Sequence, residues 1–139
     1  MSVLPEIAEA ARRWMRWASE DLALARHSAA NAELVPRGAC MWSHQTGEKA
    51  IKALLVAYDI DPPKQHDLHR LTLRLPASAQ SLFADVDLAS LSRWAIDGRY
   101  PDDFEEATGA QATEALECAR QVLAVAASHL DRLLEGPLK

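Results

Sequence analysis

Two long apolar stripes, one near each end of the chain, constrain this sequence more than any other feature. Residues 4–31 carry Ile7, Ala11, Trp14, Ala18, Leu22, Ala25 and Ala29 at steps of three or four. Residues 105–135 repeat the pattern with Ala112, Leu116, Ala119, Leu123, Ala126, Leu130 and Leu133. Side chains at that spacing line one face of an α-helix; a strand would need alternation every second residue. Each long helix therefore has a face to bury, and the chain between them must supply the partner. Residues 39–59 do so with Ala39, Ser43, Gly47, Ala50, Leu54 and Ala57, a small-residue stripe that lets helices approach closely.

The connections agree with a helical plan. Pro5 suits a first helical turn, where its missing N–H has no partner to lose. The segment Glu33-Leu34-Val35-Pro36-Arg37-Gly38 breaks the first helix, and Asp61-Pro62-Pro63 closes the second. His66-Asp67 offers an N-cap for a short third helix, residues 68–75, ended by Pro76. Asp87 caps a fourth, residues 88–95, stopped at Gly98, and Gly136-Pro137 ends the last. No alternating strand pattern and no repeat occurs. The expected architecture is all-α: one domain over residues 1–139, an antiparallel up-and-down bundle of four to five helices.

Composition narrows the function classes. The 139 residues carry 15 Lys plus Arg against 20 Asp plus Glu, a net charge of −5. A protein that binds nucleic acid by bulk electrostatics would be basic, so only a local basic groove is left open. Cys40 and Cys118 have no metal-ligand spacing and no secretory leader is evident, so free thiols in a cytoplasmic setting are expected. No apolar run is long enough to span a membrane. There is no Gly-rich phosphate loop, no nucleophile elbow and nothing that calls for a cofactor.

Four polar spots stand out. Asp21 sits beside the first apolar stripe, where a carboxylate needs a partner or water; a boundary salt bridge would satisfy it. In the run His44 to Leu54, Glu48 and Lys52 are an i,i+4 pair in the favourable order. Lys49 and Gln45 crowd beside them, next to a face that packs too closely to leave them all in open solvent. His66-Asp67-Leu68-His69 has a possible metal spacing, but two ligands make no site, and an N-cap with an accessory His explains it as well. Arg99, thrown out before Tyr100-Pro101, could grip a phosphate or carboxylate bidentately, or pair with Asp102, Asp103 or Glu106. Arg12, Arg13 and Arg16 make a basic edge of the kind solvated helix faces carry. Trp14, Trp17, Trp42 and Trp94 read as core or interface aromatics.

Read in order, these spots resemble the HEPN family (higher eukaryotes and prokaryotes nucleotide-binding domain). The matching pieces are Trp17-Ala18-Ser19-Glu20-Asp21-Leu22 and His44-Gln45-Thr46-Gly47-Glu48-Lys49-Ala50-Ile51-Lys52-Ala53-Leu54-Leu55. Pro62-Pro63-Lys64-Gln65-His66-Asp67-Leu68 and Arg99-Tyr100-Pro101 follow. The resemblance implies a helical bundle, commonly a homodimer, paired with a small nucleotidyltransferase in a toxin–antitoxin type system. Carried over by position, Lys49, Lys52, His66 and Arg99 would bind a nucleotide or RNA phosphate. Asp21, Glu48, Asp67 and Tyr100 would support that cleft. Ribonuclease members carry an Arg followed four to six residues later by a His, near the start of the last helix. Here no His follows Arg99 at that distance, and Arg37 with His44 has the spacing on the wrong helix. The binding module is therefore the leading expectation. A metal-independent endoribonuclease toxin, with Arg99, His66 or Tyr100 as catalytic candidates, and a purely structural helical dimer are the alternatives.

Overall fold

The computed structural model describes residues 3–95 and 106–135. Among these there are six α-helices and no strand: α1 (Pro5–Ala30), α2 (Pro36–Ala57), α3 (Leu68–Thr72), α4 (Ala77–Gln80), α5 (Leu88–Ser92) and α6 (Gly109–Glu135). A 3-10 turn, Ser81–Phe83, follows α4 directly. The three long helices form the bundle. The short ones, each four or five residues, wrap the chain from the end of α2 back towards α6.

Local chemistry sets the boundaries. Pro5 and Pro36 both occupy the first turn of their helices. The expected start of the second helix at Ala39 thus moves forward to Pro36, because a proline that breaks an incoming helix also serves as the first residue of the next. α2 stops at Ala57 through a Schellman arrangement: the Ile60 N–H donates to Leu55 O and the Asp59 N–H to Val56 O, both at 2.9 Å. Asp59 takes the left-handed conformation this requires, at φ 60°. Asp67 and Asp87 cap α3 and α5 as their positions suggested, accepting from the N–H groups of Arg70 and Ser90. The expected start of the last helix at residue 105 lies outside the described residues. α6 begins at Gly109 behind a capping box in which Gln111 N–H donates to Thr108 Oγ1 and Thr108 N–H to Gln111 Oε1. α4 is the helix the sequence did not announce.

α2 is the central rod. Ala39, Cys40, Ala50, Ile51, Ala53, Leu54 and Leu55 are fully buried along it. α1 meets it through Ala11, Ala18 and Ala25, and α6 adds Ala119, Val122 and Ala126, all without solvent exposure. Alanine seams bring the helix axes close, which is how a rod with so few large side chains still excludes water. α1 and α2 run antiparallel: Ser28 near the end of α1 abuts Gly38 near the start of α2, while Trp14 lies beside Lys52 further along. Gly47 marks another close approach, this time to the short helices. A Cβ there would lie 3.1 Å from both Leu68 Cδ1 of α3 and Leu91 Cδ2 of α5. That contact seats α3, and with it the loop that carries His66. No helix among the described residues is long and apolar enough to cross a membrane.

Candidate functional site

The polar residues of α2 leave the helix on the side where α1 and the α2–α3 loop come alongside. Glu48 is the hub. Its Oε2 accepts from Lys52 Nζ at 3.0 Å, and its Oε1 accepts from His66 Nδ1 at 2.9 Å. The Glu48 and Lys52 side chains are only 8% and 9% exposed, so the i,i+4 pair is not a loose surface bridge. One position along, Lys49 donates to Asp21 of α1. The boundary salt bridge expected for Asp21 is present, with Lys49 as its partner.

Electrostatics follow from this packing. Burial by itself would raise the carboxyl pKa of Glu48. The hydrogen bonds from His66 and Lys52, and the ammonium charge of Lys52, outweigh burial and hold Glu48 below the usual glutamate range. Glu48 is therefore an anion that fixes two neighbours. Since the carboxylate accepts, His66 carries a proton on Nδ1, and in the neutral ring the basic lone pair is then on Nε2. The His66 side chain is 35% exposed, the most accessible of the three.

Two residues outside the expected site belong to its frame. His44, one turn before Glu48 on α2 and fully buried, donates from Nε2 to the carbonyl of His66 at 2.8 Å and so fixes the backbone beneath that imidazole. Its place in the run of polar residues was visible, but its inward aim was not. Trp14 lies under the other end of the cluster, with Lys52 Nζ 5.9 Å from its ring centroid, within cation–π range. Here the signal was a tryptophan on the same stripe as Asp21. Of the tryptophans read as core or interface aromatics, Trp94 is in the core, and Trp17 and Trp42 are exposed on this chain.

The structure thus pairs Asp21 with Lys49 and gathers Lys52 and His66 on Glu48. Asp67 lies at the edge, its carboxylate occupied in capping α3. Arg99 and Tyr100 lie outside the described residues. His69 is exposed, and among the described residues no three His, Cys, Asp or Glu side chains gather where they could hold a metal ion. Cys40 and Cys118 are free thiols whose pKa values burial pushes up to about 11, which favours the protonated thiol over the thiolate.

The chain has likenesses to known proteins at the level of family and fold. The family model described as HEPN domain matches residues 11–130. ST0689, whose crystal structure is described as that of an archaeal HEPN homologue, superposes with a TM-score of 0.66 at 26% identity, over 86% of this chain and 97% of that one. TT1696 from Thermus thermophilus superposes with a TM-score of 0.67 at 25% identity, over 85% and 96%. No curated protein matches the chain.

Proposed function

We propose, since the chain belongs to the HEPN domain family, that this bundle is a binding module. Its polar cleft holds the phosphate of a nucleotide on Lys49, Lys52 and His66, and the bundle pairs with a small nucleotidyltransferase as one half of a toxin–antitoxin type system. The observation that carries the reading is the Glu48–Lys52–His66 cluster, in which the carboxylate and the ammonium are buried and the imidazole is partly exposed. Desolvating a carboxylate and an ammonium consumes most of what their attraction returns, so such a pair is a poor device for stability alone. As preorganised charge it is a good one, because Glu48 holds the ammonium and the imidazole in place before any ligand arrives. Lys49, the more exposed lysine, can be shared: an incoming phosphate competes with Asp21 for its ammonium. With a net charge of −5, the protein would recognise its ligand at contact distance rather than by long-range steering.

Calorimetric titration with ATP tests the reading. Heat is expected with the wild type, and Lys49→Ala should weaken binding about tenfold, the scale of one charge-assisted hydrogen bond. Co-expression with a nucleotidyltransferase from the adjacent reading frame should yield a complex that survives size exclusion. Absence of heat with every nucleoside triphosphate, together with no such complex, removes the proposal.

A specific contact favours a second reading, the metal-independent endoribonuclease. An imidazole whose Nδ1–H is held by a carboxylate is oriented as a general base through Nε2. On this reading the protein cleaves RNA in the presence of EDTA, and His66→Ala lowers the rate by about two orders of magnitude or more. RNA left intact by the purified wild type excludes it.

A further inference from the structure

We propose that Trp17 is a stacking platform for the base of the nucleotide held at this cleft, so that the ligand is a nucleoside phosphate read through its base as well as its charge. The inference rests on the phosphate reading of the Lys49–Lys52–His66 cleft. Trp17 is 40% exposed on α1, so part of its indole is open to a ligand. It stands four residues before Asp21, hence on the same helix face and about 6 Å along the axis. Asp21 in turn holds the Lys49 ammonium. The exposed ring thus stands one helical turn from the residue that holds the partly exposed Lys49 ammonium.

The ring is also braced. Trp14 meets Trp17 edge-to-face, with centroids 5.7 Å apart and planes at 72°, while Lys52 sits over Trp14. The polar cluster, Trp14 and Trp17 thus form one continuous contact chain. A platform held by a neighbouring ring loses little freedom when a base lands on it.

Charge balance explains why a base would matter. The two lysines face two carboxylates, Asp21 and Glu48, so the cluster offers an anion well-placed donors but little surplus positive charge. A bare polyphosphate has only those donors to bind. A ligand that adds stacking on an indole gains an independent contribution.

The test compares ATP with inorganic tripolyphosphate, by calorimetry and by quenching of tryptophan fluorescence, on the wild type, Trp17→Ala and Trp17→Phe. The wild type should bind ATP at least tenfold more tightly than tripolyphosphate. Trp17→Ala should lose about tenfold for ATP with tripolyphosphate unchanged, and Trp17→Phe should keep most of the ATP affinity. Trp17 is exposed enough for both variants to fold, which a thermal melt checks. Equal affinity for the two ligands, or equal weakening of both by Trp17→Ala, overturns the platform while leaving the phosphate cleft standing. So does a Trp17→Ala variant that changes the oligomeric state in sedimentation and leaves ATP affinity intact, since the ring would then contact a second copy. If neither ligand binds, the cleft itself fails and the platform with it.

Discussion

Replacing Glu48 with alanine is expected to destabilise the fold by about 3–5 kcal/mol, the range for removing one member of a buried ion pair. The loss comes less from the bond than from what remains. Lys52 is buried to within a few per cent of full enclosure, and taking Glu48 away leaves its ammonium beside the face of Trp14 with no carboxylate to balance it. The melting temperature should fall on the order of 10 °C for a domain of this size. Urea unfolding gives the free energy, and an unchanged slope will show that the compactness of the end states is the same. The double variant Glu48→Leu with Lys52→Met separates the stranded charge from lost packing. It should cost far less than Glu48→Ala alone, because no unpaired ion is left inside. A Glu48→Ala cost under about 1 kcal/mol would mean that Lys52 reaches water by another route, and that the cluster is not preorganised.

The same carboxylate sets a pH dependence. Its folded-state pKa lies below that of a free glutamate, so Glu48 contributes stability that is fully present above the unfolded value, about 4.3. That contribution is lost as the pH falls through the lower folded value. The stability gap between wild type and Glu48→Gln should therefore be widest near neutrality and should close in acid.

How much of this was legible in the sequence depends on the range of the signal. The stripes of α1 and α6 were plain, because a repeat of three and four sustained over many turns has no other helical or extended reading. The caps at Asp67 and Asp87 were plain for the same reason of locality: the capping oxygen and its N–H are three residues apart. Pro36 was ambiguous, since one residue served as terminator and initiator. Ala77-Ser78-Ala79-Gln80 showed nothing, because four residues are too few to display a period. In the site, the i,i+4 pairing of Glu48 with Lys52 could be written down from spacing. That Glu48 also takes His66, and that Lys49 rather than another cation takes Asp21, could not. Those contacts join residues 18 and 28 positions apart, and only the packing of α1 and of the α2–α3 loop against α2 brings them together. The resemblance to a family supplied the order of the pieces; the bundle supplied their meeting.

That meeting depends on a glycine, which leads to the second large effect. Gly47→Leu should destabilise the protein by about 1–3 kcal/mol through overpacking, and it should weaken ligand binding by more than its stability cost implies. At Gly47 even a Cβ would lie 3.1 Å from Leu68 and from Leu91. Gly47→Ala asks each leucine methyl to retreat by a few tenths of an ångström. The gain in helix propensity, up to about 1 kcal/mol, offsets most of that crowding, so its stability should stay near wild type. A leucine has no such remedy: its branch must occupy the space where α3 and α5 now sit. α3 follows His66 by two residues, so pushing Leu68 outward carries the imidazole away from Glu48. The expected pattern is a graded one, with Gly47→Ala close to wild type in both urea unfolding and ATP calorimetry and Gly47→Leu impaired in both. A Gly47→Leu variant that melts lower yet binds ATP as the wild type does would show that His66 keeps its place without the α2–α3 contact, and would uncouple the site from the packing beneath it.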